Sequence, residues 1–185
     1  MIFVAFGTIF FVHRTFSVWS KSWERQDKLS HVPTELIVSE ILYSNEELYG
    51  LGPGGNETGI ILYKIPNDTV QEIELLGIDY FTRLLPNSES RYEQRGQYSE
   101  WQETPISSDP DWKDKVQTQT PDSVVSPPKL ANYLDRYGWG IKIEPEIEQE
   151  INEAVSSPGS YFAYSRAGML IVIPSIEKAV YVYSG

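Results

Sequence analysis

The chain has no cysteine, and only two histidines, His13 and His31, in 185 residues. The first absence excludes disulfides, thiolate nucleophiles and cysteine-held zinc or iron–sulfur centres. It leaves the compartment open, because exported and cytosolic proteins alike can lack cysteine. Both histidines fall at or before residue 31, so residues 32–185 offer no imidazole for a Ser-His-acid triad, a general base or a metal. The side chains left for chemistry are carboxylates, Lys, Arg, Tyr, Ser and Thr.

Positive charge is scarce as well. Fifteen Lys and Arg stand against 26 Asp and Glu, a net charge of −11. Residues 1–30 hold Arg14, Lys21, Arg25 and Lys28 against Glu24 and Asp27, a balance of +2 that leaves −13 on the other 155 residues. Nucleic-acid affinity rests on Lys and Arg displacing counterions from phosphates, so so acidic a body excludes that partner. A basic protein would instead be steered towards it.

No apolar run reaches the roughly 20 residues of a membrane-spanning helix. The longest uncharged stretch, Met1 to Val12, matches the roughly 7–15 residues of an export h-region. His13 and Arg14 interrupt its continuation through Phe16, Val18 and Trp19, although Arg14 can snorkel and Trp19 and Trp23 suit an interfacial belt. No basic n-region precedes the run and no A-x-A-like site follows it. Residues 1–20 are expected to associate with a membrane or an export route, within an anchor or export segment and polar flank at 1–30. The short N-terminal run favours export; the Lys and Arg that follow it favour a cytoplasmic body by the positive-inside rule. The bland alternative is a strand or helix packed on the body.

What is abundant is aromatic side chain: 12 Tyr, 7 Phe and 5 Trp, or 13% of the chain. With 41% apolar residues, residues 31–185 can fill the core of one acidic domain. Thr34–Tyr43 and Ile60–Ile65 read as a strand pair joined by the glycine-rich Tyr49–Gly59, the second strand buried on both faces. Asp68 and Gln71 resemble a capping box for a helix carrying Val70, Ile73 and Leu76, closed by Gly77. A second short helix is expected from Ile78 to Leu85.

Residues 86–127 are polar, rich in Ser, Gln, Asp and Pro, and without period, which predicts a long irregular loop. Its aromatic residues argue that it wraps the domain, anchored by Trp101 and Trp112. After it, Leu130, Tyr133, Leu134 and Tyr137 at i, i+3, i+4 and i+7 predict a helix, Trp139–Ile143 a short strand, and Ile147, Ile151, Ala154 and Val155 the buried stripe of another helix. Tyr161–Arg166, Met169–Ile173 and Ala179–Tyr183 complete an antiparallel meander, the first connection being Ala167-Gly168. The class is α+β: one domain with an N-terminal hairpin, short helices, a long irregular middle segment and a C-terminal meander.

No motif names a reaction. The glycines of 50–59 lack G-x-G-x-x-G spacing and a following helix, so they read as a flexible connection. Asp109, Asp111 and Asp114 lack the further ligands of a calcium loop and read as a solvated acidic turn. Trp101 between Glu100 and Glu103 has the make-up of a sugar platform, and a glycosidase would need two such carboxylates about 5–10 Å apart. Arg166 heads the arginines near aromatics (with Arg83, Arg91 and Arg95) that can hold a carboxylate or phosphate. Trp101, Glu103, Trp112 and Arg166 are therefore the expected partner surface, with no catalytic residue, metal or cofactor assigned. Three functions follow, in order: a non-enzymatic, membrane-tethered binding or accessory domain for a protein partner; an immunity-type inhibitor of a basic toxin; and a carboxylate-based glycan hydrolase.

Overall fold

The computed structural model describes residues 22–48, 57–85, 95–107, 109–113, 126–166 and 168–185. Residues 1–20, most of the glycine-rich connection, Asp114 and Arg91 lie outside them. Among the described residues no helix is long and apolar enough to cross a membrane.

The centre is one antiparallel sheet of six strands: β1 (Glu40–Leu48), β2 (Glu57–Lys64), β3 (Ser99–Glu103), β4 (Tyr161–Tyr164), β5 (Met169–Ile173) and β6 (Lys178–Ser184). Their spatial order is β1-β2-β6-β5-β4-β3, so the last strand in sequence pairs with the second. Around the sheet stand α1 (residues 22–29), α2 (Asn67–Leu76), α3 (Ile78–Thr82), α4 (Leu130–Leu134) and α5 (Pro145–Ser156).

Side chains alternate across a strand, so a sheet covered on both faces needs strands apolar at every position. β2 is such a strand. Ile60 and Leu62 join Ile171, Val180 and Val182 against Leu130, Tyr133 and Leu134 of α4 and Ile151 and Val155 of α5. Ile61 and Tyr63 join Leu170, Val172 and Tyr181 on the opposite face, under Val70 and Ile73 of α2, Tyr80 and Phe81 of α3, and Val32 and Leu36. The architecture is α+β, with the expected N-terminal hairpin and C-terminal meander in place. Ile147 and Ala154 pack on the rim of the first core, completing the expected stripe of α5.

Several local expectations are corrected. β1 starts at Glu40 rather than Thr34, because residues 34–36 turn instead and bury Leu36 beneath the sheet, the Leu36 N–H donating to the Pro33 carbonyl at 3.1 Å. The capping box is not formed: α2 begins at Asn67 behind Pro66, placing Asp68 within its first turn, and no side chain caps it. Gly77 does close the helix, donating its N–H to the Ile73 carbonyl at 2.7 Å. Trp139–Ile143 forms no ladder. It runs beside β1, held by Asn45 donating to the Lys142 carbonyl at 2.8 Å, with Ile141 and Ile143 packed on the first core.

Of the middle segment, residues 95–107 and 109–113 are described, and they are not all loop. Ser99–Glu103 forms β3, an edge strand on β4. Beyond it the Ile106 N–H donates to the Val155 carbonyl at 2.9 Å, and Trp112 is wholly buried, stacked on Tyr133 at 5.0 Å between ring centroids.

Candidate functional site

A bulge builds the site. Ser99 pairs with Tyr164 and Gln102 with Phe162, so Glu100 and Trp101 together oppose one residue of β4. Glu100 takes a positive φ of 56°, the conformation of a bulge's first residue, and it does so without being glycine. The extra residue directs Trp101 into the face under α3, where its ring stacks on Phe81 at 4.4 Å and lies 5.8 Å from Tyr98.

The other wall is the turn leaving β4. The Ser165 N–H donates to the Gly168 carbonyl at 2.7 Å, and the Gly168 N–H donates to Ser165 Oγ at 3.1 Å. A Cβ on Gly168 would lie 2.5 Å from the Val182 carbonyl oxygen, so only glycine lets this turn settle against β6. Arg166 projects from its exposed tip.

Between the two walls is a cleft of about 490 Å³, lined among the described residues by Pro33, Leu84, Gly96, Gln97, Tyr98, Ser99, Trp101, Tyr164, Ser165 and Arg166. Its phenols are already engaged. Tyr98 donates to the His31 carbonyl at 2.6 Å, and Tyr164 donates to the Asp109 carboxylate. Burial pushes the Tyr98 pKa well above its ordinary value. Tyr164 is likewise raised, by burial and then by the Asp109 hydrogen bond. Neither is a base near neutral pH. Arg166 has no ion-pair or hydrogen-bond partner among the described residues, and it is the only charged side chain in their part of the lining.

The expected partner surface is thus divided. Trp101 and Arg166 both line the cleft. Glu103 is exposed further along β3, opposite Tyr161, and does not line the cleft. Trp112 offers no surface, its ring lying in the first core. Of the other arginines, Arg83 pairs with Glu72 and lies over Tyr80, and Arg95 pairs with Asp27 at 2.7 Å. Asp109 accepts from Tyr164 and from the Asp111 N–H, and Asp111 accepts from Arg136 at 3.3 Å, so both acids serve the fold. Among the described residues no group of His, Asp and Glu converges to hold a metal.

What sequence reasoning missed is the rest of the cleft: Pro33, Leu84 and Gly96 come from distant stretches, and only the sheet order joins them to Arg166. No family model, curated protein or solved structure matches the chain.

Proposed function

We propose that this chain is a non-catalytic binding or accessory domain that seats its partner in the Trp101–Arg166 cleft, with residues 1–20 tethering it to a membrane or an export route. One observation carries this: an arginine with no partner among the described residues shares the lining of a concave site with aromatic side chains, inside a body of net negative charge. The lining supplies recognition groups rather than an acid–base pair. Glu100 and Glu103 lie on β3 outside it, so glycan hydrolysis gains no support there.

A photo-crosslinking residue in place of the exposed Ser99 tests the assignment in cells. The expected result is one discrete adduct that Arg166→Glu abolishes; an adduct pattern unchanged by that substitution, or by Trp101→Ala, would remove the cleft from the binding surface.

A second function, inhibition of a basic toxin, is favoured by the exposed acids of α5, Glu146 and Glu153. Charge reversal there should abolish capture of one stoichiometric basic protein and leave the cleft adduct intact.

A further inference from the structure

We infer that the cleft recognises a monoanionic carboxylate joined to a flat apolar group. This rests on the cleft being the binding site, and it names the chemistry of what enters.

Arg166 supplies the charge. A guanidinium presents a planar fork that matches the two oxygens of a carboxylate, and a fork with no partner among the described residues is free to take one. The aromatic requirement comes from the neighbours. Trp101, held in place by its stack on Phe81, lines the same cavity with Tyr98, while Pro33 and Leu84 add apolar wall. A planar hydrocarbon or heteroaromatic body would bury against these rings with its acid group reaching Arg166.

Charge decides between carboxylate and phosphate. Phosphate sites gather several cations or a nest of backbone N–H groups at a helix start. Among the described lining residues Arg166 is the one cation, and neighbouring Arg95 is committed to Asp27. A dianion would also face the −13 of residues 31–185 with twice the repulsion of a monoanion.

The test is a titration of the full chain followed by ¹H–¹⁵N NMR of its five tryptophan indoles, the Trp101 signal being assigned with Trp101→Phe. Matched probes are benzoate against benzamide and indole-3-acetate against indole-3-acetamide. Phenyl phosphate and a peptide ending in phenylalanine, as free acid or as amide, extend the series. The acids should shift the Trp101 indole saturably, with their amides about 10- to 100-fold weaker, the range of a charge-assisted hydrogen-bond pair. Arg166→Gln should bring the acids down to the level of the amides while the other indole signals stay in place. Phenyl phosphate should bind more weakly than benzoate. If the free-acid peptide binds more tightly than the small acids, the natural source is a peptide C-terminus; equal binding points to a free aromatic acid.

Amides that bind as tightly as acids, or a phosphate preferred over benzoate, would overturn the carboxylate assignment and leave the cleft as a binding site. If no probe of either charge moves Trp101, the inference falls, while the Ser99 adduct and its loss in Arg166→Glu decide separately whether the cleft is the binding site. The acid–amide comparison needs no variant, so it holds even if Arg166→Gln disturbs the turn.

Discussion

The Tyr63 hydroxyl donates to the Lys28 carbonyl at 2.6 Å, tying the middle of the sheet to the end of α1. Lys28 itself reaches β1, donating to Ser44 Oγ at 2.8 Å and pairing with Glu46 at 3.6 Å. Residues 28–36 are thereby fastened to the second core. The full chain should show a native near-ultraviolet circular dichroism spectrum. A chain starting at residue 37 loses the burial of Val32 and Leu36, about 1.5–3 kcal/mol each, and should be molten by near-ultraviolet circular dichroism. Tyr63→Phe should cost about 1 kcal/mol in chemical unfolding.

Leu134 is fully buried between α5 and the sheet. Leu134→Ala should lower stability by about 2–5 kcal/mol through lost burial and the cavity left behind. A change below about half a kcal/mol would mean that α4 moves in to refill the space and contributes little to the core.

His31 is buried and stacked on Tyr181 at 4.0 Å, and its Nδ1 has no hydrogen-bond partner among the described residues. Burial, reinforced by Arg95 and opposed by Asp27, lowers its pKa to about 3 from an ordinary 6.5. The unfolded chain takes up this proton near its ordinary pKa, whereas the folded chain does so only near the lowered one. Stability is thus full above pH 6.5 and is lost as pH falls from there towards 3, by up to about 1.4 kcal/mol per pH unit. His31→Phe keeps the stack and removes the proton, so its unfolding free energy should decline less steeply across this window. Parallel declines for the two proteins would show that other groups carry the acid sensitivity.

Glu177 is held at φ 55° and ψ 37°, with its N–H donating to the Pro174 carbonyl at 3.0 Å and its carbonyl accepting from Ile65 at 2.8 Å. The left-handed conformation costs a non-glycine residue about 1–2 kcal/mol, and part of this is offset by the flexibility glycine adds to the unfolded chain. Glu177→Gly should therefore stabilise the protein by about 0.5–1 kcal/mol, read as a rise in thermal midpoint. A fall would mean that the carboxylate makes a contribution larger than the strain.

Period and composition were enough to read the core. β2, α5 and the meander are legible because long apolar alternations or a 3.6-residue stripe leave few other structures open. β3 was hidden: Ser99-Glu-Trp-Gln-Glu103 is polar apart from its tryptophan, as an edge strand can be, and its bulge breaks the alternation that would announce it. Trp139–Ile143 misled in the opposite way, since its alternating Ile141 and Ile143 suit a strand while the chain beside β1 makes a side-chain bond instead of a ladder. The candidate site was half legible. Trp101 and Arg166 stand out as residue types, but their sharing one cleft depends on β3 pairing with β4, which no local pattern in residues 86–127 foretells.

The position of β6 sets a timetable for assembly. Thr58 of β2 meets Ser184 of β6 across 126 residues of chain. During synthesis at about 5–20 residues per second, β2 waits about 6–25 s for that neighbour, apolar on both faces and unpaired along one edge. Pairings of such long reach also place refolding at the slow end for a single domain, in milliseconds to seconds. Through that interval the hairpin of β1 and β2 is a nascent fragment in need of protection: the acids of β1 guard its outer edge, while the edge of β2 stays open until β6 arrives.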